Sequence, residues 1–358
     1  MLLASCSAPD PVSDFGKELD TYMNALIADD QPGGAALVMR DTSVIFSKGY
    51  GLADLVTKER VTPKTLFNLG SISKTFVAYG ILVLQSQGKL SVEDSLIRYF
   101  PDFKNKELAR KIKIRHLLTH TSGLPDNRPF QRDSVFYLTA DDAQNWYPVT
   151  QTDTLEFEPG TRYHYSNPAF NGLALIIEQV SGRKWQSFIA DIIFKPSGMA
   201  TSTITDGSHP ERGVSHGYSR VAGNWVEDDY GEEPTFCAAG NGGIWSSTVE
   251  LAKYELAIRR SLFLDKPSID SSAVIKTFPG WLDPTPPFIG WSWFIDQTPD
   301  GLNVISHTGH QGGFAAYYIT VPEKKILVVV LFNAPYDVYA FREQVTTMLI
   351  NHHWLDVK

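Results

Sequence analysis

Apolar residues recur along the chain with two different spacings, which distinguish predicted helices from predicted strands. Near the start, Phe15, Leu19, Tyr22 and Leu26 recur at helical spacing, so a helix is predicted over 15–29. Short apolar runs bounded by turn residues predict strands toward both ends of the chain. The predicted strands are 35–39, 44–47, 291–296, 314–321 and 326–332.

The middle of the chain is predicted to be mostly helical. One helix is predicted over 71–87, where Gly88 ends it. Further helices are predicted over 168–181, 185–195 and 248–260, and a helix over 338–351 closes the chain. Because strands at both ends enclose a helical middle, we expect one sheet built from both chain ends, with an inserted helical domain. The expected bounds are 15–88 plus about 236–358 for the sheet domain and about 89–235 for the helical domain.

Composition and charge narrow the class of protein. The 358 residues are 43% hydrophobic and 20% charged, which is ordinary for a globular protein of roughly two domains. The net charge of −8 disfavours a nucleic-acid-binding protein, because such proteins usually present a basic face. With two cysteines, Cys6 and Cys237, we expect neither a disulfide framework nor a cysteine-built zinc site.

The first residues contain a candidate processing signal. Leu3-Ala4-Ser5-Cys6 resembles a bacterial lipobox, in which the cysteine becomes the lipidated first residue. The stretch up to residue 14 is polar and contains prolines, as expected of a tether. A charged n-region and a full apolar h-region do not precede the cysteine, so a chance match is the alternative. We therefore expect a lipid anchor on Cys6 and a location in the bacterial cell envelope or periplasm, with the cytoplasm as the alternative.

Ser71 and Lys74 form an S-x-x-K element at the start of a predicted helix. Three residues apart, their side chains share one helix face. A serine hydroxyl is a weak nucleophile until a neighbouring base takes its proton, and a helix N-terminus offers N–H groups to a developing oxyanion. Taken alone, the element also fits a helix-start serine with a solvated lysine. A second match, Ser181-Gly182-Arg183-Lys184, is predicted to be structural, because Gly182 is a natural C-cap.

Two further elements place polar side chains where a cleft is expected. Tyr165-Ser166-Asn167 follows a proline–glycine turn, and on a loop its tyrosine and asparagine can face the same cleft. The phenol can relay a proton, and the amide can hold a substrate carbonyl. His307-Thr308-Gly309-His310 lies between strand-like segments, where a strand edge can line a cleft. Taken alone, each element also fits an ordinary loop or turn.

Two other motifs are predicted not to carry the chemistry. The segment 213–217 matches the G-x-S-x-G of a nucleophile elbow around Ser215, but a loop-like stretch precedes it instead of a buried strand. An α/β-hydrolase esterase that uses Ser215 stays as an alternative. His116 and His120 have the spacing of a zinc-binding helix, but Leu117 stands where H-E-x-x-H needs a glutamate, so both histidines are predicted to be structural.

In this order, the three elements resemble those of the serine β-lactamase and penicillin-binding protein superfamily. The likeness is greatest to the branch of class C β-lactamases, DD-peptidases, D-amino-acid peptidases and family VIII carboxylesterases. Further segments that resemble this branch extend the likeness over about 30–335. These segments are 67–71, 116–124, 159–182 and 239–246.

The resemblance implies a fold and a site. The implied fold is α/β of the α+β type, with an antiparallel sheet flanked by helices and a cleft between the sheet and the helical domain. The implied nucleophile is Ser71, with Lys74 as its proton acceptor and Tyr165 as a general acid/base. The implied substrate-binding residues are Asn167, His307, Thr308, Gly309 and His310. The backbone N–H groups of Ser71 and His310 would form the oxyanion hole.

The resemblance also implies a serine hydrolase that needs no cofactor or metal and binds a small-molecule or peptide substrate. It would hydrolyse small esters, D-amino-acid amides or peptides, or lactams. His307 stands where class C enzymes usually have lysine, and a histidine is mostly neutral at pH 7, so the expectation of efficient β-lactam hydrolysis weakens. A non-catalytic relative that binds peptidoglycan fragments or acts as a scaffold is the alternative. Whether Lys74 or Tyr165 takes the first proton, and the oligomeric state, stay open.

Overall fold

The computed structural model of the protein describes residues 11–128, 139–205, 210–228, 239–298 and 300–356. Cys6 with the lipobox-like segment, and Cys237, lie outside the described residues, so the lipid anchor stays a prediction. No helix within the described ranges is long and apolar enough to cross a membrane.

The strands come mainly from the two ends of the chain, as predicted. They are β1 (Gly34–Arg40), β2 (Ser43–Tyr50), β3 (Phe67–Asn68), β4 (Thr203–Ile204), β5 (Tyr218–Val221), β6 (Asn224–Glu227), β7 (Ile244–Ser246), β8 (Phe294–Gln297), β9 (Asn303–Gln311), β10 (Phe314–Val321) and β11 (Ile326–Phe332). Among the described residues, six of them form one antiparallel sheet in the order β2-β1-β11-β10-β9-β8. The two chain ends therefore build one sheet, because β1 pairs with β11 along its whole length.

Helices cover both faces of this sheet. They are α1 (Pro11–Leu26), α2 (Ser73–Ser86), α3 (Lys106–Lys111), α4 (Ile114–Leu118), α5 (Asp142–Thr150), α6 (Asn167–Ser181), α7 (Trp185–Ile189), α8 (Lys195–Ser197), α9 (Ala239–Gly242), α10 (Thr248–Arg259), α11 (Lys266–Ser272) and α12 (Val338–Asn351). A π-helical stretch joins α7 to α8. Short 3-10 helices span Gly70–Ile72, Leu96–Arg98 and Pro322–Lys324.

Two apolar clusters explain this arrangement, one on each face of the sheet. The first packs α1 and α12 against alternate residues of β1, β10 and β11. The second is larger and continues from the sheet through α2 into the helical region. A strand covered on both faces is apolar along its whole length, and β10 and β11 are buried throughout. α2 is likewise buried from Ser73 to Leu84, as expected of a helix that is enclosed on all sides.

The strand bounds differ from the prediction near the third motif. The strand predicted from Trp291 begins at Phe294, whereas Trp291 and Trp293 pack into the core before it. The segment 307–310 belongs to β9 itself, instead of lying between strands. Polar residues and a glycine interrupt the apolar pattern there, because this part of the strand faces the cleft. The bounds of the two predicted domains stay a prediction.

Asn333, directly after β11, connects the two ends of the chain. Its buried side chain accepts the N–H of Gly33 at 2.6 Å and donates to the carbonyls of Leu52 at 3.0 Å and His216 at 2.9 Å. Asn333→Leu leaves these buried groups unpaired, and each costs about 1–3 kcal/mol. We expect the free energy of unfolding in urea to fall by at least ~2 kcal/mol.

The matched control for Asn333→Leu is Asn24→Leu on the exposed face of α1, where the amide donates to the carbonyl and the carboxylate of Asp20. We expect this control to change the free energy of unfolding by no more than about 0.5 kcal/mol. Equal losses in the two variants would contradict the connecting role of Asn333.

Candidate active site

Ser71 lies in the 3-10 turn that leads directly into α2. The backbone of β9 lies against this turn. Gly70 has a φ of +50°, and an ideal Cβ there would lie 2.6 Å from the His310 nitrogen. An ideal Cβ at Gly309 would lie 1.9 Å from the carbonyl oxygen of Leu69. Glycine is therefore required on both sides of the contact, which brings the first and third motifs together.

Lys74 lies one helical turn beyond Ser71 and is fully buried. Its Nζ lies 2.9 Å from Ser71 Oγ and donates to the carbonyl of Asn241 at 2.7 Å. Burial, and to a smaller extent the positive charge of Arg128, lowers the pKa of Lys74 well below its usual range. A neutral amine at this place can accept the proton of the Ser71 hydroxyl.

Tyr165 completes this group from the helical side. Lys74 Nζ lies 5.2 Å from the centre of its ring, and the phenol lines the same cleft as Ser71. Burial raises the pKa of Tyr165 above its usual range, and the neighbouring Ser71 hydroxyl opposes this only partly. The two opposite pKa shifts favour a neutral amine beside a protonated phenol over an ammonium beside a phenolate.

A cleft of about 570 Å³ opens over Ser71. The predicted site residues that line it are Ser71, Tyr165, Asn167, Thr308 and His310. Asn167 is the first residue of α6, and Ser166 caps this helix by accepting the N–H of Ala169 at 3.3 Å. Lys74 and Gly309 lie buried behind the lining, against Ser71 and its turn. The fold thus gathers the three motifs around one cleft.

His307 is also buried behind the cleft, because successive side chains of β9 point to opposite faces of the sheet. Its Nδ1 hydrogen-bonds to the Thr308 carbonyl at 2.6 Å, and its ring lies 4.9 Å from that of Phe294. Burial lowers the pKa of His307 to about 3, and the hydrogen bond to the Thr308 carbonyl opposes this only partly. His307 therefore supplies no fixed positive charge at neutral pH, and its predicted contact with substrate stays a prediction.

His120, predicted from the sequence to be structural, lies inside the site. Its ring stacks on that of Tyr165 with the centroids 4.2 Å apart. Its Nδ1 accepts the N–H of Ser166 at 3.0 Å, and its carbonyl accepts the N–H of His164 at 2.9 Å. His120 thus holds the backbone on both sides of Tyr165. Its φ of +56° is a left-handed conformation that is uncommon for a non-glycine residue.

The resemblance of the segment 116–124 to the superfamily is the one sequence signal that points to His120. His116, four residues earlier, has only a structural contact there, as predicted. Its Nδ1 accepts the N–H of Lys113 at 3.1 Å at the start of α4. Its ring lies 5.5 Å from that of Phe278.

Several further residues line the cleft outside the three motifs. Tyr163 and Asn241 belong to the segments that resemble the superfamily, whereas the others carry no signal in the sequence: Asp126, Arg128, Phe294, Gln311 and Tyr339. Arg128 donates to both carboxylate oxygens of Asp126, at 2.7 and 2.6 Å, and to Asn145 at 2.8 Å. They come from parts of the chain that only the complete fold brings to one place.

The two competing serine motifs lie elsewhere. Ser215 is fully buried, and its Oγ lies 3.4 Å from the carbonyl oxygen of Ala53, so it is inaccessible to a substrate. Gly182 caps α6 in the left-handed conformation, with a φ of +70°, as predicted. The sequence offers three candidate serines in S-x-x-K or G-x-S-x-G motifs, and of these Ser71 lines the cleft.

A family model described as Beta-lactamase matches residues 19–349. The chain belongs to the beta-lactamase family. This finding confirms the predicted superfamily and, with the observed sheet, the predicted fold class.

The proteins that this chain resembles include penicillin-binding proteins and a D-aminopeptidase. Penicillin-binding protein 4* from Bacillus subtilis is 28% identical over 340 residues, covering 90% of this chain and 72% of that protein. A D-aminopeptidase from Cereibacter sphaeroides is 27% identical over 339 residues, covering 90% of this chain and 60% of that protein. The structure of an octameric penicillin-binding protein homologue from Pyrococcus abyssi has a TM-score of 0.79 and 25% identity, covering 95% of this chain and 77% of that one.

His120→Phe tests whether His120 positions Tyr165. Phenylalanine keeps an aromatic ring for stacking but leaves the N–H of Ser166 unpaired, so we expect kcat/KM toward an activated ester to fall by about 10-fold or more through displacement of Tyr165. The matched control is His116→Phe, which removes a similar bond to a backbone N–H away from the cleft. We expect both variants to lose thermal stability and only His120→Phe to lose activity. Equal activities in the two variants would contradict the assignment.

Proposed function

We propose that this member of the beta-lactamase family is a serine hydrolase that forms an acyl-enzyme on Ser71 and transfers the acyl group to water. The observation that carries the proposal is the 2.9 Å distance between Ser71 Oγ and the Nζ of the fully buried Lys74. A lysine in ordinary solvent would be protonated at neutral pH, and burial removes this obstacle to its acting as a base.

Acylation begins when Lys74 takes the proton of Ser71 and Oγ attacks the carbonyl carbon of the substrate. The backbone N–H groups of Ser71 and His310 stabilise the oxyanion. A single oxyanion donor is worth about 10²–10³-fold in rate, and general acid–base help about 10²–10⁴-fold. Tyr165 gives its phenolic proton to the leaving group as the carbonyl re-forms, and regains a proton from the Lys74 ammonium. Water then attacks the acyl-enzyme ester at the place that the leaving group has vacated. The proton transfers run in reverse: Tyr165 takes a proton from water as its own proton passes to Lys74, and Lys74 returns a proton to Ser71 Oγ as the acid is released.

The proposed substrates are small esters and amides or short peptides of D-amino acids. The names of the relatives support acyl transfer at peptide-like carbonyls, and a volume of about 570 Å³ suits a small acyl donor. Aromatic rings of Tyr163, Phe294 and Tyr339 offer it apolar contact area. Lactams are poorer substrates in this proposal, because His307 is neutral and the charge of Arg128 is paired with Asp126.

Ser71→Ala is the first test. With a short p-nitrophenyl ester as substrate, we expect Ser71→Ala to lose at least about 10³-fold in kcat, because no nucleophile remains. The matched control is Ser215→Ala, which alters the buried serine of the competing motif and should retain full activity. Retention of activity in folded Ser71→Ala would overturn the proposed site. A wild-type protein that binds substrate analogues without turnover would favour the non-catalytic alternative.

Substrate preference is a second test. We expect kcat/KM to be highest for p-nitrophenyl butyrate, lower for D-alanine p-nitroanilide and lowest for nitrocefin. An activated ester demands least of the pocket. The carboxylate of a lactam would find an unpaired cation among the described cleft residues only where His310 is protonated. Burial lowers the pKa of His310, so this residue is mostly neutral at pH 7 as well. Nitrocefin as the best of the three substrates would contradict this order.

A further inference from the structure

Asp142 is a buried carboxyl group behind the cleft, and the proposed mechanism does not use it. It lies in the first turn of α5 and is 7% exposed. Its Oδ1 accepts from the side-chain amide of Asn171 at 2.6 Å and from the N–H of Gly240 at 2.9 Å, while its Oδ2 accepts from the indole N–H of Trp185 at 2.9 Å. All three donors are neutral. Burial raises the pKa of Asp142 to about 7, and the three donors lower it only partly.

Through two of these hydrogen bonds, Asp142 links the short helix α9, which contains Gly240, to α6, which contains Asn171. Gly240 is bound directly, and an ideal Cβ there would lie 2.8 Å from Ala174 Cβ and 2.9 Å from Asp142 Oδ1. Asn171 is bound through its amide nitrogen, and its oxygen accepts from the amide of Asn241 at 3.1 Å. Asp142 therefore fixes Asn241 by two routes. One runs through Gly240, which precedes Asn241 in the chain, and the other through Asn171, which holds the side chain of Asn241.

The Asn241 carbonyl is the acceptor for Lys74 Nζ, at 2.7 Å. A neutral lysine amine carries two N–H bonds and one lone pair. When the carbonyl engages one N–H, the rotation of the amine about its last bond is restricted, and the lone pair can be directed at the hydroxyl of Ser71. A carbonyl displaced by even ~1 Å would lose this orientation, and misplacements of that size cost about 100-fold in rate.

We infer that Asp142 is a positioning residue for Lys74, and that it acts by fixing the Asn241 carbonyl through Gly240 and Asn171. A buried carboxyl group surrounded by neutral donors costs stability, so a role in the site explains its presence better than packing does. The inference rests on the proposed role of Lys74 as the base that activates Ser71.

The test is the reactivity of Ser71 toward a fluorophosphonate probe, followed by intact-protein mass as a function of pH. Asp142→Leu has a similar volume and removes every acceptor. We expect its second-order labelling rate to fall by about 10- to 100-fold. We also expect the acidic limb of its pH profile to move to lower pH, because the Lys74 ammonium loses a well-placed carbonyl acceptor. Asp142→Leu leaves in place the other titratable groups that lie around Lys74 in the described part of the chain, namely Arg128, His120, His307 and Tyr165.

Trp185→Phe is the matched control. It removes the third hydrogen bond to Asp142 but leaves both connections to α9, so it should lose stability while its labelling rate and pH profile match the wild type. Asn171→Leu is the second variant, for use if Asp142→Leu does not fold. It releases the Asn241 amide and should change the rate and the pH profile in the same direction.

The outcomes separate the inference from the proposed function. A wild-type Ser71 that is not labelled refutes the proposed function, and the inference with it. A labelled wild type with unchanged rates and pH profiles in the Asp142 and Asn171 variants overturns the inference alone. An equal loss in Trp185→Phe also overturns it, because the effect would then belong to the stability of the core.

Discussion

The site depends on the exclusion of water from one lysine. Lys74 projects from a helix that is enclosed by the sheet on one side and by the helical region on the other, so its amine has Ser71 and the Asn241 carbonyl as its hydrogen-bond partners among the described residues. An ammonium group is stabilised mainly by water, and its removal from water favours the neutral amine. The same enclosure raises the pKa of Tyr165. The same burial thus shifts the pKa values of both groups that flank Ser71 toward their neutral forms.

A second constraint is the contact between β9 and the Ser71 turn. Ser71 and the motif at 307–310 are more than 230 residues apart, and they meet because both chain ends contribute to one sheet. Because neither Gly70 nor Gly309 has a side chain, the two backbones approach closely. In the proposed mechanism, the oxyanion is then bound by backbone N–H groups from both segments and by no side chain.

Most of the elements and the motif residues could be predicted from the sequence, for physical reasons that also explain the failures. β10, β11 and α12 have the predicted bounds, because strands and helices buried against the core carry an unbroken or periodic apolar pattern. The position of His120 beside Tyr165 could not be predicted, because its spacing from His116 is that of one helix face, whereas α4 ends at Leu118 and His120 follows it in left-handed backbone. Asn241 acts through its carbonyl, and a backbone group gives no signal in the residue type.

The buried polar groups around the cleft oppose the stability of the fold. Lys74, His120, His307 and Asp142 are all buried, and burial shifts the pKa of each toward its neutral form. Apolar residues of similar volume would pack there at a lower cost in solvation free energy. These four residues lie in and behind the site, whereas two large apolar clusters cover the two faces of the sheet. The large apolar core thus offsets the loss of folding stability that the buried polar groups of the site cause. Such a trade-off between stability and activity is expected of a reactive site.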